Sequence, residues 1–291
     1  MPVKISRVDT AHCLLGEGPV WDAATHALYF LDIGQKRIHR YDPHDGTTRS
    51  WETPSGVGAM ALREAGGAVL AMGDSICMLD FDSGSITLIA SAQQPPRAIF
   101  NDGKVDRRGR FVLGSCCTDL ANPQPIGGVF SLGVNHKIVR LESNILFSNG
   151  PCFSPDGRTF YFSDSGQHAC YAYDYDNDTG ALSNKRLFAE TRALGGMPDG
   201  ATVDSDGLVW IAIFKGGKVA AFRPDGRVER VVEMPVRLSV SVMFGGDRLD
   251  QLFVTTIDPV FFKETPEEGA GDLYVIEGLG ARGLPEPRYA G

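Results

Sequence analysis

The sequence predicts a six-bladed β-propeller built of four-stranded antiparallel blades, and three observations predict it. A turn followed by a β-rich run recurs six times, starting at Trp21, Leu62, Val105, Phe153, Val203 and Phe244, at spacings of 41, 43, 48, 50 and 41 residues. Each run is followed by a second hairpin with period-two alternation around a turn rich in Asp and Gly. Helical periodicity is nearly absent. Two hairpins make a four-stranded sheet, and six such sheets at this spacing are the signature of propeller blades. A sandwich or barrel of the same strands leaves the sixfold alternation of hairpin types unexplained.

In chain order, Val3 to Leu14 is strand-like and precedes the first full repeat, so it is expected to supply the outer strand of the last blade and cover an open edge. The first blade is "WDAATHALYFLDI" with "RIHRYDPHDGTTRSW", and the second is "LREAGGAVLAMG" with "SICMLDFDSGSITLI". The third joins "VDRRGRFVLGS" to "GGVFSLGVNHKIVRL", and the fourth joins "FSPDGRTFYFSDS" to "ACYAYDYDNDTGALSNKRLF". "VDSDGLVWIAIF" and "GGKVAAFRPDGRVERVV" form the fifth, "FGGDRLDQLFVTTI" and "GDLYVIEGLGARGL" the sixth. The stretch "FFKETPEEGAG", from Phe261 to Gly271, carries a Pro and two late glycines and reads as a loop. No linker rich in Pro, Ser or Gly divides the chain, so residues 1–291 are expected to form one domain.

Composition narrows the function. The 291 residues are 43% hydrophobic and 22% charged with a formal net charge of -8, and no block of Lys and Arg offers a surface to nucleic acid. The N-terminus lacks the apolar core of a signal peptide, and no stretch reaches the roughly 18 apolar residues needed to span a bilayer. A cytoplasmic monomer or weak homo-oligomer, with neither nucleic-acid nor membrane partners, is therefore expected. Six cysteines without a CxxC read as reduced, buried thiols. The six histidines show no ligand spacing and are expected at the surface.

Three phrases share one phase. "FNDGKVDRRG", "SNGPCFSPDG" and "MPDGATVDSDG" place Asn101, Asn149 and Asp199 eight residues before a turn glycine, and Glu17 in "LGEGPVW" stands eight before Thr25. Equivalent positions of successive blades surround the propeller axis, so these four side chains are expected to converge at one mouth of the axial channel. Taken singly, Asn or Asp before Gly is more often a turn residue than a ligand; the shared phase points to a site. Oxygen donors of this kind suit a hard divalent cation such as calcium, magnesium or manganese, and so few protein ligands leave coordination positions for water or substrate. No HExxH, nucleophile elbow or P-loop competes.

Together, "GEGPVWD", "FNDGKVDRRGRFVLG", "SNGPCFSPDGRTFYFSDS", "YDNDTGALSNKRLF", "PDGATVDSDGLVWIA" and "FGGDRLDQLFVTT" resemble the gluconolactonase, regucalcin (senescence marker protein) and luciferin-regenerating enzyme family, in order over almost the whole chain. The resemblance implies a six-bladed propeller holding one divalent cation, which could be calcium, magnesium, manganese, zinc or iron, through Glu17, Asn149 and Asp199. It implies that Asn101 contacts substrate. The reaction it implies is ring opening of an aldonolactone to the sugar acid, with Asp199 or the metal activating water. A metal-dependent esterase or phosphotriesterase, and a calcium-binding propeller without turnover, are the alternatives.

One departure bears on substrate. Relatives often read Arg-x-Asn-Asp in the third blade, whereas this chain reads "IFND", with Ile99 in place of the Arg. The loop "CCTDLANPQPIGG" is expected near the same mouth as a lid or a solvated loop, offering Asp119, Asn122 and Gln124 as polar contacts.

Overall fold

A computed structural model of the chain describes residues 2–119 and 121–291. The strands form six four-stranded antiparallel sheets arranged as a six-bladed β-propeller. Blades one to five take residues 16–52, 59–91, 98–145, 148–190 and 197–233, each with its strands paired in chain order from the axis outward. Blade six takes Ser239–Gly245, Gln251–Thr256 and Leu273–Glu277 and gains its fourth strand from the other end of the chain. Lys4–Val8 pairs there antiparallel, with Lys4 opposite Glu277 and Val8 opposite Leu273. The strands of one sheet thus come from both ends of the sequence, and the exposed edge of Leu273–Glu277 is covered.

Packing explains the patterns. Six buried clusters each span two successive blades; Trp210 and Ala212 of blade five, for example, pack with Val242 and Phe244 of blade six. Both faces of a central strand are therefore covered, and Ala27–Asp32 and Phe111–Cys117 are buried at every position. Such strands read as continuous apolar runs rather than as alternation. The outer strand Val228–Glu233 is exposed except at Val232.

No α-helix occurs among the described residues. Three short 3₁₀ turns do, and the last, Pro259–Phe262, overlaps the start of the stretch read as a loop, with Asp258 capping it through the Val260 amide. All six cysteines are free and buried. Among the described residues no helix is long and apolar enough to cross a membrane.

The C-terminal residues 278–291 form no second hairpin in blade six. They run across the lower face of the ring, where the inner hairpin turns lie. The Ser205 amide donates to the Arg282 carbonyl in blade five, the Tyr289 amide to the Leu62 carbonyl in blade two, and the Ala290 amide to the Gly109 carbonyl in blade three. The Arg288 guanidinium reaches Asp22 Oδ1 of blade one at 2.5 Å. Glu286 lies 3.7 Å from Lys104, whose side chain is largely covered.

Candidate metal centre

The site lies at the upper mouth of the channel, where the inner strands begin. Five of those six strands are bulged there: between Glu17 and Val20, Phe100 and Gly103, Asn149 and Cys152, Pro198 and Ala201, and Ser239 and Ser241. A bulge sets two residues against one and re-aims a side chain. The bulges lie at Glu17, Asn101, Asn149 and Asp199 or directly beside them. Gly150 shows the constraint. Its φ of 55° is left-handed, and a Cβ there would meet the Asp199 carbonyl oxygen at 2.6 Å, so glycine lets blade four approach blade five at the site.

A hydrogen-bond chain fixes the amides. Asn101 Nδ2 donates to the Ser148 carbonyl at 2.8 Å and to Asn149 Oδ1 at 2.7 Å. Asn149 Nδ2 donates to Ser165 Oγ at 3.0 Å, and that hydroxyl donates to the Pro198 carbonyl at 2.5 Å. Asn149 is thus oriented with its carbonyl oxygen toward Asn101 and its amino group toward Ser165. Both N–H groups of Asn101 face inward, which leaves its Oδ1 as the open group.

Three carboxylates share the mouth. Asp199 is buried, and its Oδ1 has no hydrogen-bond partner among the described residues. Glu17 accepts from the Gly18 amide at 3.0 Å. Asp102 accepts from the Gly103 amide at 2.7 Å and the Gly150 amide at 2.9 Å. Glu17 and Asp102 keep part of their surface open to the channel, but protein surrounds both. Desolvation, then repulsion from Asp102, pushes Glu17 up to about 8. Desolvation, then Glu17 and Asp102, raises Asp199 well above the usual carboxylate range. Asp102 is also raised, by desolvation, against the pull of Lys104.

These observations fit a hard divalent cation: an orphaned buried oxygen, an oriented amide oxygen and crowded carboxylates, all oxygen donors. A stability prediction follows. Because the folded pKa of Glu17 lies above that of an unfolded carboxylate, about 4.3, its contribution to the metal-free fold is complete below that value and is lost as pH rises toward about 8. The chelated protein should therefore melt lower at pH 8 than at pH 5, and saturating calcium or magnesium should recover more melting temperature at pH 8. A recovery independent of pH would show that these carboxylates do not hold the ion.

The structure brings Glu17, Asn101, Asn149 and Asp199 together at this mouth. Ile99, two residues before Asn101, is 37% exposed beside it. Asp119 takes a different partner, an ion pair with Arg97 Nη1 at 2.8 Å, and also accepts from the Asn122 amide. Asn122 bonds to Gln124 within the same loop. Leu120 of that loop lies outside the described residues. Sequence reading missed Asp102 and Ser165. Asp102 falls out of the shared phase because it occupies the extra place created by the bulge; the signal available was a second acid in "FNDG" directly beside a site residue. One histidine departs from the surface expectation: His39 is only 3% exposed.

The family model for the SMP-30/Gluconolactonase/LRE-like region matches residues 15–258. Regucalcin of Danio rerio is 34% identical over 294 residues, covering 99% of both chains. Among solved structures, a luciferin-regenerating enzyme superposes with a TM-score of 0.92 at 28% identity, covering 99% of this chain and 100% of that one. A calcium-binding regucalcin from Agrobacterium tumefaciens gives 0.88 at 25% identity, covering 97% and 96%.

Proposed function

The chain belongs to the SMP-30/Gluconolactonase/LRE-like family, and on that premise we propose that it hydrolyses a sugar lactone, opening an aldonolactone to its acid, with one divalent cation held by Glu17, Asn149 and Asp199. The observation that carries this reading is the buried, unpartnered Asp199 Oδ1 beside the Asn101–Asn149 amide pair. A cation bound there supplies Lewis-acid polarisation of the lactone carbonyl. The protein's own groups do the rest. Asn149 is held in register by Ser165, and Asp102 fixes the Gly150 turn that carries it. Asn101 presents Oδ1 to a substrate hydroxyl. Asp199 accepts the proton of the attacking water and returns it to the ring oxygen as the carbon–oxygen bond of the ring breaks.

Chelation should abolish lactone hydrolysis and a divalent ion should restore it, measured against a buffer blank because lactones open unaided. Full turnover by metal-free protein would overturn the reading. The Agrobacterium relative is described as a calcium-binding protein, which favours a second reading, a calcium-binding propeller without turnover. Calcium-dependent stabilisation with no consumption of lactones, aryl esters or phosphotriesters would select it; turnover of the esters or phosphotriesters alone would select a different electrophile for the same site.

Ile99 bears on which lactone. An exposed branched side chain beside Asn101 replaces a donor-rich guanidinium, so the wall at this point tolerates a missing hydroxyl. Ile99→Arg should reorder kcat/KM among glucono-, galactono-, arabinono- and deoxy-lactones by roughly 10- to 200-fold between substrates differing in one contacted group. An unchanged ranking in folded, metal-loaded variant places Ile99 outside the pocket.

A further inference from the structure

The lactone chemistry leaves a second cluster unused, four residues before Glu17. Cys13 lies between the N-terminal strand and blade one, Asp32 ends Ala27–Asp32 and His39 lies in Arg37–Asp42. Each offers one ligand atom within 4.8 Å of the other two. They are 2%, 1% and 3% exposed.

The donor and acceptor count leaves room on Asp32 and His39, while the Cys13 thiol makes one long hydrogen bond, to the Ala11 carbonyl at 3.9 Å. Asp32 Oδ1 accepts from the Leu15 amide at 3.2 Å and the Gln35 amide at 2.9 Å, and Oδ2 accepts from the Leu14 amide at 3.0 Å. A carboxylate has about four lone-pair sites, so Oδ2 keeps one. His39 Nδ1 is engaged with Ser50 Oγ at 2.8 Å, while Nε2 is buried without a hydrogen-bond partner among the described residues. An imidazole with one unpartnered nitrogen, a carboxylate with an open lone pair and a thiol thus share one buried place.

Blade four provides an internal control. Asp164 brackets its entering loop as Asp32 does, accepting from the Leu146 amide at 3.1 Å and the Phe147 amide at 3.0 Å. In that register the places of Cys13 and His39 are taken by Ile145 and Tyr171. The aspartate therefore serves the fold in both blades. The thiol and the imidazole are additions of blade one, and the loop bracket needs neither.

We propose that Cys13, Asp32 and His39 bind a zinc-type divalent cation at a site separate from the oxygen-lined channel mouth. Sulfur, nitrogen and oxygen donors together suit borderline zinc or cobalt(II) rather than calcium. Bond lengths of about 2.0 to 2.3 Å in a tetrahedron place ligand atoms roughly 3.3 to 3.8 Å apart, a small closure of the observed cluster. On binding, the Cys13 thiol proton leaves to solvent and a sulfur–metal bond forms. Thiolate and carboxylate then neutralise the 2+ ion, so no net charge is buried. With Nδ1–H donating to Ser50 Oγ, the imidazole is held by its second nitrogen and Nε2 carries the lone pair that a metal takes. The ion pins the run entering Glu17 to blade one.

The test uses the full chain, stripped by chelator and titrated with zinc or cobalt(II) alone. Wild type and Asp199→Asn should both show a thiolate-to-cobalt charge-transfer band in the near ultraviolet and lose it on zinc addition, and Asp199→Asn, its channel mouth disabled, should retain one zinc per chain that raises the melting temperature. Cys13→Ser and His39→Tyr should lose the band and, in the Asp199→Asn background, the retained zinc. If Cys13→Ser fails to fold, His39→Tyr decides alone, since blade four carries tyrosine at that place. A wild type without the band, an Asp199→Asn variant without retained zinc, or a band unchanged in His39→Tyr, overturns the proposal.

Discussion

Asp199→Asn is expected to lower kcat for the lactone by about 10²- to 10⁴-fold, the contribution of a positioned proton acceptor, and to weaken divalent-cation binding in the same protein. The substitution keeps shape and removes charge. Asp199 Oδ1 is the one buried carboxylate oxygen of the site without a partner among the described residues, so it has most to gain from a cation and most to lose with its charge. Its proton affinity is raised by burial, then by Glu17 and Asp102; a bound cation would offset that repulsion. Calorimetric titration and kcat at saturating metal separate the two roles. A variant that binds metal tenfold more weakly but turns over normally when saturated has lost a ligand and no base. One that stays slow when saturated has lost the base. Unchanged catalysis and binding would remove both assignments. Asn101→Ala should cost less in kcat, because its N–H groups act inside the protein and only Oδ1 faces the channel.

What the sequence reveals about this site depends on period. Six repeats of two hairpins are legible because the inner strands are covered on both faces and the outer ones are not, so burial is written as apolar runs such as Val209–Phe214 beside polar strands such as Val228–Glu233. Glu17, Asn101, Asn149 and Asp199 are legible because the ring repeats their position. Asp102 is not, since a bulge inserts one residue and breaks the count. Ser165 is hidden for another reason: it follows the second strand of blade four and reaches the site only through the fold. Cys13, Asp32 and His39 lie 19 and 7 residues apart, a spacing that names no ligand motif until the ring closes. Arg97, 69% exposed in its side chain, takes up Asp119 across the open end of the hairpin Ala98–Val105 and Phe111–Cys117, a pairing that neither residue's neighbours announce.

Tyr289→Ala is expected to destabilise the fold by about 3 to 5 kcal/mol, the range for deleting a large buried aromatic side chain, and to lower the melting temperature accordingly. The residue belongs to the tail, yet it is 0% exposed and packs in the cluster between blades two and three with Phe100, Phe111 and Phe130. Its hydroxyl donates to the Gly133 carbonyl at 2.9 Å. Its backbone amide and carbonyl pair with the Leu62 carbonyl and the Glu64 amide. The side chain therefore anchors a segment that starts at blade six and touches blades five, one, two and three, a second tie across the ring besides the strand Lys4–Val8. Tyr289→Phe separates the components: it keeps the ring volume and loses one hydrogen bond, about 1 kcal/mol. Because the tail lies on the lower face and the candidate metal centre on the upper, Tyr289→Ala should leave metal affinity and kcat per folded molecule unchanged at a temperature where both proteins are folded. Thermal melts alongside metal titration check this. A melting temperature equal to wild type would mean that the tail is held by its backbone bonds and the Arg288–Asp22 pair alone. A stable variant with weakened metal binding would mean that the lower tie sets the spacing of the blades at the upper mouth.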